Sequence, residues 1–259
     1  YNAMKISIIT IVFNDEVGII NTLKSLSDII GDVEYELIIK DGASSDNTLK
    51  GIEENLPNIK CKVVSSNDSG IYNAMNIAID LISDDSDYTI FMNSGDTFTD
   101  DAFKLMENLR PNQSDVITFP IASVDEAGFK VKIRSMGDSS KLMLRPYIPH
   151  QSTLVRSTLL KEHYFDERFR ILADYDLFCR LYNAGHSFEY VNSQPLALFL
   201  QGGVSSAYKS QFNFAKEQIA IQKMNFKKAN YCYALIPLAK WLLLRFGFIA
   251  NLVSKYRRV

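Results

Sequence analysis

Cysteine, histidine and tryptophan are scarce in this chain, with three, three and one among 259 residues. Cys61, Cys179 and Cys232 are odd in number and far apart. They form neither a zinc-binding spacing nor a disulfide framework, so a reducing compartment is expected. No uninterrupted apolar run is long enough to cross a bilayer, because Lys240 and Arg245 break the stretch 235–253. Internal repeats and low-complexity segments are missing as well. Met4 reads as the initiator, Tyr1-Asn2-Ala3 are set aside, and no signal peptide is expected. Acidic residues are absent after Glu217. Residues 1–217 hold 30 acidic and 20 basic side chains, whereas 218–259 hold eight basic ones and no acid. The overall charge of −2 therefore conceals an acidic body and a basic tail.

What remains is ordinary globular composition, 47% apolar and 22% charged, in a chain long enough to bury a substantial core. The β-branched run from Lys5 to Phe13 predicts a buried strand. Val17, Ile20, Leu23 and Leu26 fall at helical spacing within 16–30. A second strand over 34–40 ends in Asp41-Gly42-Ala43-Ser44-Ser45-Asp46, a loop rich in capping residues. A helix from Thr48 to Asn55 and a strand over 60–65 follow. A helix over 71–83 is expected to carry Ile71, Met75, Ala78, Ile79 and Ile82 on one side. The strand from Tyr88 to Met92 ends in a polar turn with Asp96. Two further strands are expected within 115–135, around Asp125-Glu126-Ala127-Gly128, and 150–165 mixes strand and helix. A helix from Ala173 to Ala184 places Leu177, Leu181 and Ala184 on one face. This alternation predicts an α/β fold with a mostly parallel, doubly wound sheet. Ligands on such sheets bind beyond the carboxyl ends of the strands, here the loops that begin at Asn14, Asp41 and Asn67.

Four features carry candidate chemistry. Asp41 and Asp96 each end a predicted strand. There they are either turn-formers or ligands for a base, a ribose or a hard cation such as Mg²⁺, which typically takes one or two carboxylates and completes its shell with water and phosphates. Asp174 and Asp176 sit two residues apart at a helix start and diverge around the helix. One can face a cleft while the other caps, or both favour the helix N-terminus electrostatically. Gly202-Gly203 suits either a plain loop or a phosphate cradle. His150 is a metal ligand or a hydrogen-bonded structural residue.

In their order and spacing these motifs resemble those of family 2 glycosyltransferases with the GT-A fold, a Rossmann-like nucleotide-diphospho-sugar transferase fold. They are most similar to bacterial enzymes of exopolysaccharide and colanic-acid type synthesis. The match runs from about Lys5 to Ser205. SIITIVFN resembles the family's first strand, whose end touches the nucleotide, which implies roles for Thr10, Val12 and Asn14. IIKDGASSDNT resembles its "IIDGGSTDGT", so Asp41 is implied to bind the uracil ring, with Ser44 and Asp46 shaping the loop. NDSGIYNAMNIAI resembles the segment lining the nucleotide, through Asp68, Gly70, Ile71, Tyr72 and Asn76. FMNSGD stands where the family has its metal-binding motif; Asn93, Ser94 and Asp96 match, with Gly95 at an often acidic position. The family's "ED" pair is Ala173-Asp174 here, so the resemblance gives Asp174 the catalytic base. HQSTLVR, FDERFRILADYDLFCRL and LQGGVS complete the match, and the resemblance places His150, Gln151, Asp176, Gly202 and Gly203 near acceptor and phosphates.

The resemblance implies an inverting, metal-dependent transfer from a nucleotide sugar, a UDP-sugar above all, with Mn²⁺ or Mg²⁺ on Asp96. The acceptor would be a saccharide or a lipid-linked saccharide, as in bacterial surface polysaccharide synthesis. It divides the chain into a GT-A domain over 4–217, with a nucleotide half at about 4–100 and an acceptor half at about 101–217, and a basic, apolar helical tail over 218–259. The tail suits a helix packed on the body or on a partner subunit of a homo-oligomer. It equally suits one lying on an anionic inner-membrane surface, so a cytoplasmic, peripheral location is expected. Nucleic-acid binding is not expected, because the basic residues are interleaved with aliphatic runs. Two other readings stay open: a nucleotidyltransferase, against which the acidic Asn14-Asp15-Glu16 counts, and a non-catalytic nucleotide-sugar-binding or assembly protein, supported by Gly95 and Ala173.

Overall fold

The first strand, β1 (Lys5–Val12), is buried along its whole length. A continuous β-branched run is stable in that setting because helices cover both faces of the sheet. A computed structural model describes residues 4–27, 32–110, 113–124, 130–135, 137–200, 211–236 and 239 of the chain. After β1 come α1 (Glu16–Lys24), β2 (Glu34–Asp41), α2 (Thr48–Glu54), β3 (Lys60–Ser65), α3 (Ile71–Ile79) and β4 (Tyr88–Phe91). Then follow β5 (Thr97–Phe98), α4 (Ala102–Glu107), β6 (Val116–Thr118), β7 (Ile121–Val124) and β8 (Lys130–Arg134). Two 3-10 turns, Ser139–Met143 and His150–Ser152, lead to β9 (Thr153–Arg156), α5 (Ser157–His163), α6 (Ala173–Asn183), β10 (Phe188–Tyr190), β11 (Ala197–Leu200) and α7 (Gln211–Phe226), and residues 231–236 are helical as well.

The main sheet has the order β10-β6-β9-β4-β1-β2-β3. It is mostly parallel: β1 pairs with β2 from Lys5↔Glu34 to Val12↔Asp41, and β1–β4, β2–β3 and β6–β10 are parallel too. β9 alone runs against its neighbours β4 and β6. A second sheet, β5-β11-β7-β8, lies beside it. Alternation along β1 divides the core. Ile9 and Ile11 pack with Met75 and Ala78 of α3 and Leu177 and Phe178 of α6. Ile6, Ile8 and Val12 pack with Ile19 and Leu23 of α1 and Ile52 of α2. Each fully buried Ile stabilises the fold by roughly 1.5–3 kcal/mol relative to exposure.

Several expectations need correction. α1 ends at Lys24, and its buried face is Gly18, Ile19, Thr22 and Leu23; Val17 is 71% exposed. α3 ends at Ile79 and leaves Ile71 exposed. Three strands, not two, fall within 115–135, because β6 joins the main sheet while β7 and β8 form a hairpin pair in the second. Ala184 follows α6 and is exposed. Position 217 falls inside α7, where Ile221 and Gln222 are buried. Among the described residues, no helix is long and apolar enough to cross a membrane. The rest of the tail, at 237–238 and 240–259, lies outside the described residues.

Candidate active site

Beyond the carboxyl ends of β1 and β4 the chain leaves a cleft of about 790 Å³. Asp15 enters it from the loop after β1, and Asn93, Ser94, Gly95 and Asp96 from the turn after β4. Residues from later in the chain line it too, among them His150, Gln151, Arg170, Asp174 and Tyr175. Asp174 stands in the first turn of α6. Its Oδ1 accepts from the Tyr175 N–H at 2.8 Å and lies 3.2 Å from the Tyr72 hydroxyl, and its Oδ2 lies 3.2 Å from His150 Nδ1. A carboxylate has about four acceptor positions, so these three partners leave one open. Burial first, and then the Asp174 charge, raises the Tyr72 pKa well above its ordinary value. Tyr72 therefore stays protonated and donates, to Ile171 O at 2.8 Å as well as towards Asp174. His150 Nε2 lies 3.3 Å from Asn93 Nδ2. A neutral His150 that accepts from Asn93 at Nε2 carries its proton on Nδ1 and donates it to Asp174, a tautomer assigned from this pattern.

Asp176 takes a different path around the helix. It is 1% exposed, receives Arg180 Nε at 2.8 Å and Asn225 Nδ2 at 3.1 Å, and does not line the cleft. Its role is structural, which separates the two acids that the sequence left paired.

Asp96 is buried at the cleft wall. Three residues before it, Asn93 Oδ1 is buried without a hydrogen-bond partner. Among the described residues no group of three His, Cys, Asp or Glu could hold a metal by itself. A hard divalent cation commonly needs no such group, since phosphates and water complete its shell. Asp96 and the orphaned Asn93 oxygen are both hard donors, so they fit an ion of that kind. Gly95, between them, has φ +92°. That left-handed backbone favours glycine, and the turn owes its shape to it.

The expected nucleotide residues divide. Asn14 and Ala43 both adopt positive φ, +47° and +63°, which folds the β1 and β2 loops together. Asn14 Oδ1 accepts from Ser45 N–H at 2.8 Å, and Asn14 N–H donates to Ser44 Oγ at 2.7 Å. Asp41 is fully buried and accepts from Ser44 N–H, Ser44 Oγ and Ser65 Oγ. Thr10 and Val12 are buried in the sheet and expose nothing to a ligand, because β1 is covered on both faces. Asn76 clamps the 165 loop, donating to Phe165 O and accepting from Phe165 N–H, both at 2.9 Å, and does not line the cleft. Asp68 receives the fully buried Lys40 Nζ at 2.9 Å and accepts from Gly70 N–H. Tyr72, Asn93, Ser94, Asp96, His150 and Gln151 do line the cleft. Gly202 and Gly203 lie outside the described residues.

Four contributions escaped the sequence. Asp15 accepts from Ser94 Oγ at 2.6 Å and caps α1 through Gly18 N–H, so one side chain links the two strand-end loops. Phe13 is 62% exposed, and a Cβ on Gly42 would lie 3.0 Å from its ring and 3.1 Å from Asp68 Oδ2. Arg134 and Arg170 line the cleft. Glu217 of α7 accepts the N–H groups of Arg170, Ile171 and Leu172 at 3.0, 3.0 and 2.9 Å, fixing the segment that leads into Asp174. An aromatic inside an otherwise buried strand run was the one available signal for Phe13. Glu217 had none, because its partners lie more than forty residues away.

The sequence model for glycosyl transferase family 2 matches residues 7–184. Among solved structures, S. aureus TarS in complex with UDP-GlcNAc superposes with a TM-score of 0.65 at 22% identity, over 95% of this chain and 73% of that one. The mannosyltransferase PcManGT from Pyrobaculum calidifontis, in complex with GDP-Man and Mn²⁺, gives 0.63 at 13% identity, over 97% and 79%. At such identities the likeness is one of fold, the mostly parallel α/β architecture of GT-A glycosyltransferases. No curated protein matches the chain significantly.

Proposed function

The chain belongs to glycosyl transferase family 2, and on that premise we propose that it is an inverting enzyme that moves a sugar from a UDP-sugar to an acceptor hydroxyl. The observation that carries the proposal is the meeting of Asp174, His150, Asn93 and Asp96 in one cleft beyond the strand ends. Asp174 takes the proton of the acceptor hydroxyl as that oxygen attacks the anomeric carbon. The new C–O bond forms on the face opposite the diphosphate, the bond to the diphosphate breaks, and the proton leaves Asp174 for solvent. A base so placed contributes roughly 10²–10⁴-fold in rate. His150 and Tyr72 hold its carboxylate in one orientation. Asp96 and Asn93 Oδ1 would hold Mn²⁺ or Mg²⁺, which when bound neutralises charge on the departing diphosphate. At the base end, the exposed Phe13 ring offers a stacking face beside Asp68. Asp41 accepts the uracil N–H when the Ser44 hydroxyl turns away.

The acceptor is a saccharide, free or lipid-linked, and surface polysaccharide synthesis is the setting that suits it. Tyr231, Leu235 and Ile236 are exposed close to Lys227 and Lys228, a mixture that favours an anionic lipid surface. Sedimentation with phosphatidylglycerol vesicles but not with phosphatidylcholine vesicles is expected, and equal binding to both argues against that contact. Enzyme and carrier protein are separated by UDP release from UDP-sugars with and without Mn²⁺. Asp174→Asn should lower release at least about a hundredfold while UDP still binds. Near-normal turnover in that variant removes Asp174 from the role.

A further inference from the structure

Five charged residues line the cleft: the acids Asp15, Asp96 and Asp174, and the arginines Arg134 of β8 and Arg170 of the loop before α6. Among the described residues neither arginine makes an ion pair. Acids are not in short supply, since residues 1–217 carry 30 of them against 20 basic residues. Glu217 is occupied by three backbone N–H groups, including that of Arg170 itself. Arg134 is exposed to solvent, and the charged neighbour that acts on it is a further cation, Arg145. Arg145 lies over the Tyr233 ring at 5.7 Å. Guanidinium groups keep their charge under all ordinary conditions, so two cleft-lining arginines that pair with none of the described acids leave positive charge that an anion would meet.

Arg170 and Asp174 are four residues apart on one segment, and the Glu217 clamp holds that segment rigidly against α7. A ligand held by Arg170 is thereby set at a fixed offset from the base. We propose that Arg134 and Arg170 form an anion subsite for the acceptor, which therefore carries a phosphate or carboxylate group near the hydroxyl that is glycosylated. The inference rests on the glycosyltransferase reading and names the substrate class for it. Planar guanidinium forks match both groups in two-point fashion, and the choice between them is left to the probe.

The test uses the full chain saturated with UDP and Mg²⁺, so that the donor diphosphate position is filled. Inorganic phosphate and, separately, glucuronate are titrated in and followed by calorimetry. Saturable binding of one of them is expected, weakening as salt is added. Arg134→Gln or Arg170→Gln should weaken it about tenfold, the loss of one charge-assisted contact, and the Lys variants should recover part of that loss. Phosphate binding that UDP displaces, or glutamine variants that lose UDP affinity in step with phosphate affinity, would assign the arginines to the donor diphosphate and overturn the proposal. Absence of binding by both probes overturns it as well. Failure of the glycosyltransferase reading has a separate signature, namely wild-type protein that binds neither UDP nor GDP.

Discussion

Replacing Glu217 tests whether α7 is part of the catalytic apparatus. Its carboxylate receives three consecutive backbone N–H groups at 2.9–3.0 Å, and the next residue but one after them is Asp174. A hydrogen bond to a charged group contributes about 1.5–3 kcal/mol, but three bonds sharing one half-buried carboxylate are not additive, so Glu217→Ala should cost about 2–4 kcal/mol in all. Glu217→Gln is gentler. Its amide oxygen can replace Oε2 before Ile171 and Leu172, but its NH₂ then faces the Arg170 N–H, a loss of about 1–2 kcal/mol. If half or more of that loosening falls on the placement of Asp174, kcat drops about 3- to 30-fold. The KM for the donor should move less than about twofold, since Glu217 touches nothing on the nucleotide side. Urea midpoints report the stability and UDP-release kinetics report the split. A Glu217→Gln enzyme with normal kcat and a lowered urea midpoint would reduce the clamp to a purely structural contact. A donor KM that rises together with the loss of kcat would contradict the assignment of α7 to the acceptor side.

Three further outcomes follow from the same coordinates. Gly95→Ala must force a side chain into φ +92°, so thermal melting should show a loss of about 1–2 kcal/mol, although the space there is open; an unchanged melt would mean the turn relaxes freely. Asp176→Asn removes the charge that meets Arg180 Nε, while the other guanidinium nitrogens keep the His163 and Tyr164 carbonyls, a loss of about 1–3 kcal/mol, and an unchanged urea midpoint would contradict it. Burial pushes the Glu36 pKa up, but hydrogen bonds from Ser83 and Ser7 and the Lys62 charge outweigh it and hold the value below the ordinary one. The stability this contributes is complete above the ordinary carboxylate value and is lost as pH falls through the lowered one. Acid unfolding of Glu36→Gln should therefore be less steep in that window, and an identical slope would refute it.

Much of the nucleotide half was legible, for a physical reason. β1 and β2 are long, apolar and paired on both edges, so their pattern and their ends follow from the sequence; β3 is a six-residue edge strand of β-branched and polar residues. The second sheet is built from strands of two to five residues, too short to carry a periodic signal. β9 pairs antiparallel inside a parallel sheet by contacts to β4 and β6, which no local pattern announces. The register of α1 misled because Gly18 and Thr22, neither of them strongly apolar, face the core, while Val17 faces the cleft. In the site, the family resemblance singled out Asp174 and Asp96, which line one cleft, yet it gave no means of seeing that Asp41 is closed over by Ser44 and Ser65. Those are contacts between side chains, settled only when two loops fold together.

The two departures from the family's acidic pattern now have local causes. Gly95 occupies a left-handed turn, where an aspartate would be strained, and the neighbouring Asn93 oxygen supplies a hard donor in the same loop. Ala173 is fully buried in the apolar cluster formed with Tyr175, Leu177 and Phe165. An acid at that position would be desolvated without a counter-ion, at a cost of several kcal/mol. Both positions therefore fit the backbone and the core around them, and neither has the character of a catalytic position that has decayed. The case for a non-catalytic carrier rested on these two residues alone. With their shapes explained, the intact Asp174–His150–Asn93 chain of hydrogen bonds weighs on the side of an enzyme.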